Sequence, residues 1–400
     1  WWYSGEYPLF DKTNFIPYWW VGNQEKGLFW FAESPYNWIN YKKNDAVNFS
    51  KRSYSDDASV VLNLTDINSY KSHTWTFEFG LQATPVKPMP NNWRSWQLGE
   101  IPESNINMIW PEVGKPYALK FFGYPEARNI DSFNSQVKKL KSENKKVLVY
   151  NALTYLSHAT PEWKQFQQIW DIDALSDAGG DVRAYGADYS RINITDDKFQ
   201  DFIVWKSYKF MKDTDIDGYY LDNCMITNIN NKKEVRSFKS SSEKLPYFPI
   251  MESRKLFERF YKTVKSERSN KLVLAHSSAR IVPPILGFSD AVIDGEQFRQ
   301  QRTKVKGDYL EKVDLETFQS EFLGAQYGFP IIFLPVFDAI YYKTYYPTRY
   351  LAAILLQHDI LVWPQASVYV VWSERYKLLS EFPEYETASF KAYYSNEKIL

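Results

Sequence analysis

The chain has 400 residues, enough for two or three domains and a large core. Its 48 basic residues balance 48 acidic ones, which removes the electrostatic footprint that nucleic-acid or anionic-membrane binding needs. No apolar run reaches the roughly 18 residues of a membrane span, and the single Cys224 excludes an internal disulfide framework.

His73, His158, His276 and His358 are scattered without metal-ligand spacing, so neither a metal nor a cofactor is expected. Aromatic residues make up 18% of the chain, and flat apolar rings with polar edges suit the faces of sugars as well as β-sandwich cores. The first residue is Trp and no charged-then-apolar leader precedes it, as expected of a processed or trimmed chain.

From Trp1 to about Asn107 short apolar runs alternate with Asn, Gly, Lys and Asp clusters. Examples are Gly27 to Ala32, Ala58 to Leu64 and Thr74 to Leu81, where Trp75, Phe77 and Phe79 share one face. The expectation is an N-terminal antiparallel β-sandwich over residues 1–107. It closes on a Pro-rich linker from Ala83 to Pro90, where three prolines deny ladder donors.

Over residues 108–372 apolar runs alternate with amphipathic helices. The eight candidate strands are Ala118 to Gly123, Lys146 to Asn151, Asp181 to Gly186, Gly218 to Asn223, Lys271 to His276, Ala291 to Glu296, Pro330 to Pro335 and Ile360 to Pro364. Helices are expected at Phe199 to Met211, Met251 to Glu267, Leu315 to Tyr327 and Thr348 to Gln357. This pattern predicts a (β/α)8 TIM barrel. A doubly wound open sheet is the alternative, although no Gly-rich phosphate turn follows an early strand. Residues 373–400 are expected to form a helix and the start of a further β segment.

Barrel enzymes carry their sites at the C-terminal ends of the strands, so polar residues closing apolar runs are the candidates. Asp222 closes the fourth run, and Asp294 and Glu296 close the sixth. Two carboxyl groups on one face are what glycoside hydrolysis needs, one as nucleophile or base and one to protonate the leaving oxygen. Asp294 and Glu296 fall on the same side of an ideal strand, so the spacing leaves both open; Glu296 is preferred because it stands nearer the loop. Asp222 also fits a helix cap, and Glu296 a surface partner of Arg299. Tyr150, Asn151, Asp188, Asn223, His276 and Trp363 stand at or just beyond strand ends as candidate sugar contacts, each with packing as its rival role. Cys224 has no partner His beside it and is not read as a nucleophile.

Trp20-Val21-Gly22-Asn23, Gly27 through Ser34, Asn37-Trp38 and Gln82 through Pro88 resemble the N-terminal β-sandwich region of bacterial proteins related to glycoside hydrolase family 123. The resemblance implies an exported carbohydrate-active enzyme, at the cell surface, in the periplasm or secreted. Family 123 uses an Asp-Glu pair, the Asp orienting the substrate acetamido group and the Glu acting as acid. Here the pair is Asp222-Asn223, and an Asn cannot donate that proton.

The Asp on one strand with a carboxyl two strands on looks more like the retaining α-galactosidase and α-N-acetylgalactosaminidase barrels. That resemblance implies Asp222 as nucleophile and Glu296 as acid/base on a galacto- or N-acetylgalactosamine-configured substrate. A non-catalytic glycan-binding protein on a decayed barrel is the rival expectation. The partner in either case is an oligo- or polysaccharide.

Overall fold

Runs such as Val147-Leu148-Val149 and Val273-Leu274-Ala275 are apolar on consecutive residues, as strands covered on both faces must be. A computed structural model shows them side by side; it describes residues 17–34, 47–51, 58–62, 76–175, 188–226, 247–277, 280–298, 313–336, 345–364 and 369–389. The N-terminal region contributes β1 (Tyr18–Gly22), β2 (Gly27–Phe31), β3 (Val47–Lys51), β4 (Ala58–Leu62) and β5 (Gly80–Thr84). They form an antiparallel sheet β1-β2-β5 and a separate hairpin β3-β4. Trp19, Trp30 and Ala32 of the sheet pack on Val60 and Leu62 of the hairpin. Of the strand expected over Thr74 to Leu81, Thr74 and Trp75 lie outside the described residues, Thr76 to Phe79 are irregular, and β5 begins at Gly80.

The Pro-rich stretch is a strap and not a free linker. The Val86 amide donates to the Tyr327 carbonyl, and the Lys87 ammonium donates to the carbonyls of Gly287 and Ser289. Burial pushes the Lys87 amine down to about 8.

Seven parallel strands follow: β6 (Ile106–Ile109), β7 (Lys146–Asn151), then, after a small antiparallel sheet of β8 (Tyr155–Ser157), β9 (Asp171–Leu175) and β10 (Tyr189–Ile192), β11 (Gly218–Leu221), β12 (Leu272–His276), β13 (Ala291–Asp294), β14 (Ile331–Phe333) and β15 (Leu361–Val362). Their order in the curled sheet is sequential, β6 beside β7 and β15 at the far edge. The domain is TIM-barrel-like with an open seam.

Helices α1 (Ile130–Ser142), α2 (Trp163–Trp170), α3 (Asp197–Asp213), α4 (Ile250–Glu267), α5 (Tyr345–Gln357) and α6 (Tyr369–Ser380) accompany the strands. Local chemistry starts them: the Asn129 side chain accepts from the Ser132 amide at α1, and Asp196 accepts from the Phe199 amide at α3. The helix expected over Leu315 to Tyr327 is a single turn, Leu315–Thr317, running into a π-turn, Phe318–Phe322. Among the described residues no helix is long and apolar enough to cross a membrane.

One expected strand changes. Ala118 to Gly123 is not a barrel strand; its carbonyls accept from Ala152 and Ser157, so it lies over the end of β7. The first barrel strand is Ile106–Ile109, and the expected domain boundary at 107/108 falls inside it. The run Asp181 to Gly186 lies outside the described residues. Asp222 therefore follows the third strand of the sheet and Glu296 the fifth, keeping their two-strand separation. At the C-terminus, Pro383–Thr387 is a 3-10 turn, and the β segment expected beyond it falls outside the described residues.

A backbone bridge and side-chain contacts span the seam. Leu98 bridges Ile106 in parallel, and the Tyr376 hydroxyl donates to the carbonyls of Leu98, at 3.0 Å, and Val362, at 2.9 Å. At the C-terminal end of the seam Trp110 stacks on Trp363 with ring centroids 5.6 Å apart.

Candidate active site

Asp222 follows β11 directly, its amide donating to the Asn151 carbonyl, so the parallel ladder fixes where the side chain leaves the sheet. Its Oδ2 accepts from the Tyr150 hydroxyl at 2.8 Å. Its Oδ1 accepts from the Asn223 amide at 2.9 Å and lies 3.1 Å from His276 Nδ1 and 3.2 Å from the Tyr220 hydroxyl. Burial pushes this carboxyl up, but the His276 and Tyr150 hydrogen bonds outweigh it, and Asp222 stays below its ordinary range. Tyr220 is driven well above its usual value by burial and by the Asp222 charge, so it remains a hydroxyl donor.

His276 ends β12 with 6% of its side chain exposed and joins the two carboxyl groups. Its Nδ1 faces Asp222 and the Tyr220 hydroxyl, the latter at 2.6 Å, while its Nε2 is 3.7 Å from Glu296 Oε2. Burial lowers its basicity, yet the neighbouring Asp222 and Glu296 charges prevail and the imidazole is raised above its ordinary value.

Asp294 and Glu296, inseparable by alternation, part company in space. Asp294 lies in register with Phe333, whose ring packs on Phe318 and Phe322 of the helical layer, and its charge helps to push Glu321 up to about 8, burial contributing most. The chain then turns at Gly295, φ 112°, where a Cβ would meet the Phe333 ring at 3.1 Å, and enters a 3-10 turn at Glu296–Phe298. That turn brings Glu296 to the inner side, beside His276, with 21% of its side chain exposed.

The other candidates divide. Tyr150 and Trp363 line the interior, Tyr150 on Asp222 and Trp363 against Tyr220. Asn223, at φ 53°, serves through its backbone, donating to Asp222 and accepting from the Thr154 hydroxyl. Asn151 is fully buried on the opposite face of β7, donating to Ser207 of α3 at 2.8 Å, because two-residue alternation sends it outward when Tyr150 points in. Asp188 is exposed on the small sheet next to His158. Cys224 is buried, and burial pushes its thiol well above the usual value.

Sequence reasoning missed Trp110. Its indole lies 4.9 Å from Tyr220 and 5.2 Å from Tyr150 between centroids, so it forms one wall of the site. The signal available was its position, the first residue after a strand that was itself unrecognised. Phe122, 5.4 Å from Tyr150 and stacked on Tyr189, supplies another wall. Among the described residues no group of three His, Cys, Asp or Glu side chains could hold a metal ion.

No family model matches the chain, and no curated protein matches it in sequence. Solved structures match by shape. An α-amylase from Lactobacillus plantarum superimposes with a TM-score of 0.50 at 11% identity, over 75% of this chain and 83% of that one. The barrel fold is one shared with an α-amylase. A maltogenic α-amylase, AmyB, from Thermotoga neapolitana gives 0.48 at 10% identity, covering 74% and 79%, and the glycoside hydrolase domain of PelA from Pseudomonas aeruginosa gives 0.38 at 13%, covering 68% and 94%. The Asp222-His276-Glu296 line stands at the C-terminal ends of β11, β12 and β13.

Proposed function

We propose that the protein is a glycoside hydrolase in which Asp222 and Glu296 are the reacting carboxyl groups. The observation that carries this reading is that one buried imidazole contacts both, 3.1 Å from Asp222 and 3.7 Å from Glu296, inside an aromatic-walled barrel mouth. Asp222 is pre-oriented and ionised by its hydrogen bonds, as a nucleophile or base needs. Glu296, on the turn made by Gly295, is the more exposed of the two and stands on the open side of His276, where a leaving group would lie.

In the retaining route Asp222 attacks the anomeric carbon while the bond to the leaving oxygen breaks and Glu296 gives that oxygen its proton. Glu296 then takes a proton from water, the water oxygen bonds to the anomeric carbon, and Asp222 is released. The substrate-assisted route of family 123 lacks its acid here, since Asn223 has no proton of that kind to give. A galacto- or N-acetylgalactosamine-configured glycan enters the proposal from the sequence resemblance alone, as does export from a bacterial cell.

The test is hydrolysis of aryl α- and β-glycosides of galactose, N-acetylgalactosamine and glucose by the wild type, Asp222→Asn and Glu296→Gln. Turnover that falls about a thousandfold in Asp222→Asn, with Glu296→Gln losing most on poor leaving groups, supports the assignment. The anomeric proton signal of the first product gives the stereochemistry, and net inversion would recast Asp222 as a general base. Glycan binding without turnover on any substrate would favour the non-catalytic reading.

A further inference from the structure

Behind the Glu296 turn lies a carboxyl that the proposed chemistry does not use. Glu321 belongs to the π-turn Phe318–Phe322, and its Oε2 is shielded from solvent without making a hydrogen bond. We propose that Glu321 is a positioning residue for Glu296, holding Gln297 and so aiming the acid/base carboxyl from the far side of its turn. The inference rests on the hydrolase reading for the role of Glu296 and deepens it by naming what keeps that residue in place.

Three observations carry it. First, the two turns are packed together. Phe298 of the Glu296 turn and Phe322 of the π-turn meet with ring centroids 6.1 Å apart, and Phe322 packs in turn on Phe333 of β14 at 5.0 Å. The π-turn is itself braced, its Ser320 carbonyl accepting from the Gln326 side chain at 2.8 Å and from the Tyr327 hydroxyl at 2.6 Å. Glu321 is thus presented to the Glu296 turn from a fixed element.

Second, the side chain between them is half satisfied. Gln297 folds back so that its Oε1 accepts from the Gly295 amide at 3.0 Å, the same amide that donates to Asp294 Oδ1 at 2.7 Å. The Gln297 amide lies against the Glu321 carboxyl, yet its Nε2 is buried without a hydrogen bond, as Glu321 Oε2 is. Closer approach of the two turns completes one contact and satisfies both groups, and catalytic contacts commonly tighten only once substrate is bound.

Third, the carboxyl is costly where it stands. Facing it are Asp294 of β13, Asp314 at the head of the turn and Tyr18 of β1, on which Arg280 also acts. Burial, then the Asp294 and Asp314 charges, push Glu321 up to about 8. A carboxyl raised in the folded state loses folding stability as pH climbs from its ordinary range to that value. Its service to the neighbouring turn accounts for a group kept at that cost.

The test compares the full-length wild type with Glu321→Ala, Glu321→Gln and Gln297→Ala. Gln297 is partly exposed, so its variant decides the matter even where Glu321→Ala does not fold. One readout needs no turnover. It is the NMR titration of the His276 imidazole, assigned with His276→Gln, which Asp222 and then Glu296, 3.7 Å away, help to raise. Retreat of Glu296 in Glu321→Ala and Gln297→Ala moves this midpoint to lower pH by about 0.5, whereas Glu321→Gln, which keeps an uncharged group in place, largely preserves it. In a Glu296→Gln background neither alanine substitution moves it further.

The other readout is turnover of aryl glycosides with graded leaving groups. Both alanine variants lose about tenfold in kcat on poor leaving groups and less than about twofold on activated ones, with KM unchanged. A role confined to packing would slow every leaving group alike. A fixed His276 midpoint, a shift that persists without Glu296, or an equal loss on all leaving groups would overturn the inference. No turnover in the wild type, with the midpoint moving as expected, would remove the hydrolase reading and leave the positioning of Glu296 standing; turnover with a fixed midpoint does the reverse.

Discussion

Asp222 shows how one residue can be both buried and charged. Desolvation alone would neutralise it, and only the donors around it reverse that, His276 first among them. Replacing His276 with Gln removes the imidazole that Asp222 and Glu296 share, so burial prevails and the Asp222 carboxyl rises. Since the ionised form is needed for attack, the acid limb of the pH-activity profile moves to higher pH, and the plateau rate falls about ten- to a hundredfold. An acid limb that stays in place, measured as kcat/KM against pH, would show that Asp222 draws its charge from its other partners.

At this scale the sequence was half legible. Asp222, Glu296 and His276 announce themselves as polar ends of apolar runs. Tyr220 and Trp110 do not, because an aromatic inside or just beyond a strand reads as core until its neighbours are known. Asn151 and Tyr150 were separable by alternation alone once Tyr150 is placed inward.

Single elements decide the geometry through short irregularities. Gly295 is one residue, yet its positive φ is what separates the buried Asp294 from Glu296. Gly295→Ala adds a methyl group against the Phe333 ring and strains the backbone, so it should displace the Glu296 turn. The expectation is a loss of turnover of about a hundredfold with melting lowered by only a few degrees, checked by kinetics beside calorimetry. Full activity in that variant would mean that Glu296 does not depend on this turn.

The elements themselves were mostly readable, since β7, β11, β12, β13, β14 and β15 are strong apolar runs. β6 was not, for it has four residues and an Asn in its midst, whereas Ala118 to Gly123 is more strand-like in composition but spends its carbonyls on the residues after β7. The helix predicted to Tyr327 failed for a different reason. Its apolar spacing is helical, but the chain widens into a π-turn and then reverses at Gly324, where φ is 68°.

For the whole molecule, the barrel depends on contacts between distant parts of the chain. Tyr376 joins Leu98 to Val362, and the Arg375 guanidinium donates to the Ile360 and Ala352 carbonyls from a buried position. Tyr376→Phe leaves two buried carbonyls without that donor and should cost about 1–3 kcal/mol. Chemical denaturation measures it, and an unchanged midpoint would show that the seam is held by packing instead. None of this closure was legible in the chain, because a hydroxyl on α6 gives no local sign of the carbonyls it will meet.

The stack of Trp110 on Trp363 has a consequence for biosynthesis. Trp110 leaves the ribosome with the first barrel strand and Trp363 with the last, so their stack is among the final parts of the domain to be assembled. A nascent chain stalled before β15 would hold the Asp222 carboxyl against β7 and β12 while Trp110 still lacks its stacking partner, so the Trp110 ring should become protected only once Trp363 and the Tyr376 hydroxyl that holds Val362 have emerged.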